Sequence, residues 1–138
     1  MCTLVVTGIL PAIPIEQPMK KVLVADDQAA GRELIRIVLE QSGHAVWEAA
    51  NGADAVRFAR EVLPDLIFLD LHMPMLDGFG VLDLLRRDES LIGTPIVALT
   101  ATAMQGDRER ALSAGFASYI TKPTGLHALR SAMERWLG

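Results

Sequence analysis

The chain has 138 residues, of which 51% are hydrophobic, 5% aromatic and 22% charged. This length and composition predict one folded domain with an aliphatic core and exclude an intrinsically disordered chain. Thirteen basic and 17 acidic residues give a formal net charge of −4, which disfavours direct nucleic-acid binding, and a single cysteine excludes an internal disulfide framework or a cysteine-rich zinc site.

The N-terminal segment differs in composition from the remainder. An apolar run over Leu4–Leu10 is followed by a proline-rich stretch. A run of seven residues is too short to span a bilayer, which needs ~20, and no basic segment precedes it as in a signal peptide. We therefore predict an N-terminal extension over residues 1–19, either an unstructured leader or an added strand. Residues 20–138 then form the folded domain, without membrane insertion.

From Lys20 onward, short apolar runs alternate with amphipathic segments. The apolar runs are typical of strands buried on both faces of a parallel sheet, and apolar residues at helical spacing predict the helices. The predicted strands are 22–25, 45–49, 66–69, 95–100 and 117–121, and the predicted helices are about 29–42, 53–61, 78–87, 105–114 and 126–137. This alternation predicts an α/β fold, with a doubly wound five-stranded parallel sheet in a three-layer α/β/α sandwich.

Apolar spacing also predicts which helix faces are buried. The inward residues of the first helix are expected to be Leu34, Ile35, Val38 and Leu39.

Polar residues stand at the carboxyl ends of four predicted strands. Asp26 and Asp27 follow the first strand, and Asp70 follows the third. Thr100 ends the fourth strand, and Lys122 follows the fifth. In parallel α/β sheets this edge is where ligands bind. Crowded carboxylates repel each other unless a cation joins them, and oxygen ligands suit Mg²⁺, while the lysine suits a phosphate oxygen.

Four segments, VLVADD, DLHMPMLDG, ALTATAM and ITKP, together resemble the receiver domain of two-component response regulators. The resemblance covers about residues 20–138 and implies a flavodoxin-like sheet of strand order 2-1-3-4-5. It is strongest with single-domain receivers and with receivers attached to hybrid histidine kinases. The resemblance therefore implies a signalling domain rather than an enzyme.

The resemblance also implies the acceptor and the metal ligands. Asp70 would be the phosphoacceptor, since a carboxylate nucleophile can form an acyl phosphate. Asp26, Asp27 and Asp70 would bind Mg²⁺ or Mn²⁺, with the backbone carbonyl of His72 as a further ligand. The imidazole of His72 is not needed as a ligand in this scheme.

Further residues would respond to the phosphoryl group. The resemblance implies that Lys122 and Thr100 contact its oxygens, together with backbone groups of His72 and Ala101. Thr100 would then change its rotamer, and Tyr119 would be the aromatic switch residue that turns inward.

These expectations describe a cytoplasmic receiver of a two-component phosphorelay. It would accept a phosphoryl group from a histidine kinase or a histidine phosphotransfer protein. It would then bind a downstream protein through the fourth helix, the fifth strand and the last helix. We expect a stand-alone receiver, without an output domain after Gly138 and with no direct contact to nucleic acid.

Two alternative functions remain open from the sequence. A small Mg²⁺-dependent phosphohydrolase would carry a second aspartate two residues after its nucleophile, where this chain has His72. A pseudo-receiver that binds partners without phosphorylation would lack one or more of the polar residues at the strand ends. None of these five residues is missing: Asp26, Asp27, Asp70, Thr100 and Lys122.

Overall fold

The computed structural model describes residues 19–101 and 105–138, with Gln105 described by its backbone alone. Apart from Met19, the predicted N-terminal extension lies outside these described residues. In the part of the chain that is described, no helix is long and apolar enough to cross a membrane.

Five strands and five α-helices alternate along the described residues. The strands are β1 (Lys21–Ala25), β2 (Ala45–Ala49), β3 (Leu66–Asp70), β4 (Ile96–Thr100) and β5 (Ser118–Thr121). The helices are α1 (Ala29–Gln41), α2 (Gly52–Val62), α3 (Gly78–Arg86), α4 (Gln105–Ala114) and α5 (Leu126–Leu137). Every predicted strand and helix is present. A short 3₁₀ helix over Glu89–Leu91, not predicted from the sequence, connects α3 to β4.

The strands form one parallel sheet in the order β2-β1-β3-β4-β5. The predicted doubly wound fold and the strand order implied by the resemblance are both confirmed. The register pairs Ala25 with Leu69 and Asp70 with Leu99. The carboxyl ends of β1, β3 and β4 are therefore level with one another.

β1 shows how one strand fills both layers of the sandwich. Val22 and Val24 pack with residues of α1 and α5, whereas Leu23 and Ala25 pack with residues of α2, α3 and α4. All four are fully buried. Successive side chains of a strand point to opposite faces, so a continuous apolar run is what a strand covered on both faces requires.

Side-chain caps determine where two helices begin. The Asn51 side chain accepts a hydrogen bond from the backbone N–H of Asp54 at 2.8 Å and starts α2. Asp77 accepts one from Gly80 at 2.9 Å and starts α3. Such caps satisfy backbone N–H groups that the first helical turn leaves unpaired. The second cap also ends the loop that follows Asp70.

The predicted inward face of α1 is wrong at one position. Ile35, Val38 and Leu39 are buried, but Leu34 is 48% exposed. Each helical residue is rotated by about 100° from the preceding one, so a neighbour of Ile35 is turned toward the edge of the buried face. Leu34 therefore lines a groove beside the β5–α5 loop instead of entering the core.

Candidate functional site

The strand ends bring the predicted polar residues to one edge of the sheet. Asp26 follows β1 directly, and Asp70 is the last residue of the adjacent strand β3. Both are buried, with 1% and 3% of their surface exposed. Lys122 comes directly after β5 and reaches across the end of β4 toward them.

Lys122 joins the two buried carboxylates. Its Nζ lies 2.7 Å from Asp26 Oδ2 and 3.0 Å from Asp70 Oδ2. Charge-assisted contacts of this length are among the stronger polar interactions in proteins. The three residues whose convergence was predicted from the strand ends therefore form one bonded cluster.

The other oxygen of each buried carboxylate accepts a backbone hydrogen bond. Gln28 N–H donates to Asp26 Oδ1 at 2.9 Å, and His72 N–H donates to Asp70 Oδ1 at 3.0 Å. In each case the donor lies two residues after the aspartate, as in an Asx turn. The strand end and the first residues of the next loop are thereby fixed together.

Burial and charge act in opposite directions on the ionisation of this cluster. Burial disfavours the charged carboxylate and raises the pKa of Asp70, and hydrogen bonds from His72 and Lys122 offset this only in part. Burial also opposes the charge of the Lys122 ammonium, but its bonds to Asp26 and Asp70 outweigh burial and raise its pKa. The edge therefore holds a charged lysine between acids that it does not fully neutralise.

The donor atoms of this edge fit a hard divalent cation. Carboxylate oxygens of Asp26, Asp27 and Asp70 lie within 4.8 Å of one another, and Asp27 is exposed to solvent. Each carboxylate oxygen has a second lone pair beyond the bonds described above. An all-oxygen set with access to water matches the ligands that Mg²⁺ and Mn²⁺ prefer.

The remaining predicted residues differ in how deeply they are buried. Thr100 is fully buried at the end of β4, whereas Ala101 and the residue His72 are exposed. Tyr119 on β5 is half-buried and packs against the apolar layer that contains α3 and α4.

Two glycines, Gly52 and Gly78, lie very close to Asp70 or to the loop that follows it. A Cβ atom on Gly78 would lie 2.6 Å from the carbonyl oxygen of Asp70. A Cβ on Gly52 would overlap the carbonyl oxygen of Leu76. Any larger residue would displace the loop that carries His72, so both glycines keep this loop in its place beside the acidic cluster.

Two residues behind the cluster were not predicted from the sequence. Arg32 on α1 donates to the backbone carbonyl oxygen of Asp26, and it pairs with Glu48 on β2. The sequence contained a clue, because Arg32 lies three residues before the buried Ile35 and seven before the buried Leu39, at the edge of the same helix face. Sequence spacing did not show which way the long side chain turns.

Residues 22–134 match the family described as response regulator receiver domain. The polar-differentiation response regulator DivK of Brucella anthropi is 35% identical over 119 residues, and this match covers 86% of the chain and 97% of that relative.

Two solved structures show the same fold. The receiver domain of sensor histidine kinase PA1611 from Pseudomonas aeruginosa, with a magnesium ion coordinated in its active site cleft, has a TM-score of 0.80 and 36% identity, covering 88% of this chain and 99% of that one. The Mn²⁺-bound form of response regulator Rcp1 has a TM-score of 0.72 and 27% identity, covering 86% and 94%.

Proposed function

The chain belongs to the response regulator receiver domain family, and on this premise we propose that Asp70 is the residue on which it accepts a phosphoryl group. A receiver is a phosphorylation-dependent signalling module rather than an enzyme that turns over small substrates, and its phosphodonor is a histidine kinase. The observation that carries the proposal is the contact of Lys122 with both Asp26 and Asp70, beside the exposed carboxylate of Asp27.

The transfer would proceed by attack of an Asp70 carboxylate oxygen on the phosphorus of a phosphohistidine. The new O–P bond forms as the N–P bond breaks, and the electron pair of that bond leaves with the imidazole nitrogen. Phosphoryl transfer depends mainly on positioning and on neutralising charge. Lys122, 3.0 Å from Asp70, would pair with a phosphoryl oxygen, and the N–H of His72 would hold the acceptor in place.

The acidic cluster can bind a divalent metal. In our proposal Asp26, Asp27 and Asp70 are its side-chain ligands, and the carbonyl of His72 is a backbone ligand. When bound, Mg²⁺ or Mn²⁺ would offset the negative charge of the carboxylates and of the incoming phosphoryl oxygens. The magnesium in the PA1611 receiver domain and the manganese in Rcp1 support this choice of metals.

The response to phosphorylation would begin at Thr100. A phosphoryl group adds ~1.5–2 negative charges at neutral pH, and we propose that the Thr100 hydroxyl and the Ala101 backbone move to bind its oxygens. Thr100 ends β4, which pairs with β5, where Tyr119 lies opposite Ala98. A change in the Thr100 rotamer would therefore alter the space available to Tyr119.

The downstream protein would bind the face formed by α4, β5 and α5. This face contains a groove of about 230 Å³ whose lining includes Tyr119, Arg135 and Trp136. Mixed aromatic and charged groups suit a transient protein contact. A histidine phosphotransfer protein is the other donor that this proposal allows. The proposal also assigns residues 20–138 to the receiver domain and places this domain in the cytoplasm, without direct nucleic-acid contact.

The test is phosphorylation by acetyl phosphate in the presence of Mg²⁺, read by intact mass. We expect the wild-type chain to gain the mass of one phosphoryl group and the Asp70→Asn variant to gain none. Asp83→Asn is the matched control, because Asp83 is an exposed acid of α3 whose ion pair with Arg87 is on the surface. Wild-type protein that gains no mass with any phosphodonor would support the pseudo-receiver alternative instead.

A further inference from the structure

Arg32 contacts the backbone of the acidic cluster from behind. Its guanidinium Nη1 donates to the carbonyl oxygen of Asp26 at 2.7 Å. The Arg32 side chain is only 16% exposed. Arginine is rarely buried unless its charge is paired, so the burial of Arg32 requires partners for its guanidinium group.

Glu48 holds this arginine in position. Arg32 Nε lies 3.2 Å from Glu48 Oε1, and the other oxygen of Glu48 lies 3.0 Å from Arg36 Nε. Glu48, which Arg32 shares with Arg36, also offsets part of the positive charge that Arg32 brings beside the proposed cation site. The guanidinium is a rigid fork, which allows one side chain to hold two partners in fixed directions.

The bond acts on the peptide that links the two neighbouring aspartates. The N–H of Asp26 belongs to the preceding peptide and donates to the carbonyl of Ala49 at 3.0 Å. The carbonyl of Asp26 lies in one plane with the N–H of Asp27, because the peptide group is planar. Arg32 therefore restrains rotation about the Cα–C bond of Asp26. This restraint also fixes the direction in which the Asp27 side chain leaves the backbone.

We propose that Arg32 is a positioning residue of the divalent-metal site, which orients the Asp27 carboxylate by holding the Asp26–Asp27 peptide. The inference rests on the proposed function, because it assumes that Asp27 is a metal ligand. Residues that orient metal ligands from outside typically contribute 10–100-fold to metal affinity. We expect a loss near the lower end, about tenfold, because the bond between Gln28 N–H and Asp26 Oδ1 remains.

Arg36 provides the matched control. It shares Glu48 with Arg32 and lies on the same helix, but it bonds Glu33 and Glu40 instead of the Asp26 carbonyl. If Arg32 acted only by fastening α1 to β2 through Glu48, as Arg36 also does, then loss of either arginine would have a similar effect. If Arg32 positions the metal ligands, only its loss weakens metal binding.

The experiment measures the Mg²⁺ dissociation constant by isothermal titration calorimetry, with thermal unfolding in EDTA as a measure of stability. We expect Arg32→Ala to bind Mg²⁺ about tenfold more weakly, Glu48→Ala to bind it less tightly than wild type, and Arg36→Ala to match the wild type. Acetyl phosphate labelling of Arg32→Ala should require a correspondingly higher Mg²⁺ concentration for half-maximal yield.

Wild-type affinity in a folded Arg32→Ala variant, or an equal loss in Arg36→Ala, would overturn the positioning role and leave the proposed function intact. If Arg32→Ala does not fold, wild-type affinity in Glu48→Ala would overturn it, because that variant leaves Arg32 without its ionic partner. Wild-type protein that does not bind Mg²⁺ at all would overturn both the inference and the metal site of the proposed function.

Discussion

At the scale of single residues, Asp70 is an acid kept where its negative charge is unfavourable. It is 3% exposed, and burial raises its pKa despite the hydrogen bonds from His72 and Lys122. Such an arrangement costs folding free energy in the unmodified, metal-free protein. The same arrangement favours any event that brings positive charge to the carboxylate, such as the binding of a cation.

This cost predicts a pH-dependent gain in stability for Asp70→Asn. The folded state binds the Asp70 proton more tightly than the unfolded state does, so stability is lost as the pH rises through the folded-state pKa. In EDTA at neutral pH, Asp70→Asn should therefore melt at a higher temperature than wild type. The difference should vanish below about pH 4, where aspartate is protonated in both states. A lower melting temperature for Asp70→Asn at neutral pH would contradict this account.

Residues at strand ends were more predictable than residues that act through long side chains. Asp26, Asp70 and Lys122 were identified because the carboxyl edge of a parallel sheet gathers whatever follows each strand. Arg32 was not identified, because its role depends on a side-chain direction that helical spacing does not determine. The convergence of Lys122 with the acids was predicted, but its contact with two of them at once was not, because it depends on the direction of the lysine side chain.

At the scale of elements, one arginine fastens the connection between α3 and β4. Arg86 Nη1 donates to the carbonyl oxygens of Leu91 at 2.9 Å and Thr94 at 3.0 Å. Its Nη2 lies 3.5 Å from the carbonyl oxygen of Gly115, just after α4. The 3₁₀ helix of this connection had no counterpart in the sequence analysis, because three residues are too short a stretch for helical periodicity to appear.

Removal of this arginine should destabilise the fold without altering the acidic cluster. Arg86→Ala leaves several loop carbonyls without their charged donor, and we expect a loss of about 2 kcal/mol in the free energy of unfolding. Arg87→Ala is the neighbouring control, because its side chain is 73% exposed and its pair with Asp83 is on the surface. Urea unfolding measures the free energy of unfolding of both variants. Equal destabilisation by the two substitutions would refute the role given to Arg86.

At the scale of the whole molecule, the net charge of −4 has a local component. Three of the 17 acids, Asp26, Asp27 and Asp70, meet at one edge of the sheet with one lysine. A ligand that binds only the folded state stabilises it by mass action, by roughly 2.7 kcal/mol at a concentration 100 times the dissociation constant. Metal binding should therefore be visible as stability of the entire domain.

Magnesium should raise the melting temperature of the wild-type chain and raise that of Asp27→Asn much less. Asp27 is the exposed member of the cluster, so its substitution removes a proposed ligand with little disturbance of the core. Differential scanning fluorimetry with MgCl₂, compared with NaCl at matched ionic strength, separates site binding from general screening. An identical magnesium-induced shift in both proteins would rule out Asp27 as a ligand.

The long-range contact of Lys122 also has a consequence for synthesis of the chain. Lys122 lies 52 residues after Asp70, and Asp26 is farther still toward the N-terminus. A ribosome therefore delivers all three acids well before the cation that joins two of them. A nascent chain that ends within α3 therefore contains all three acids of the cluster without the lysine that contacts two of them in the finished protein.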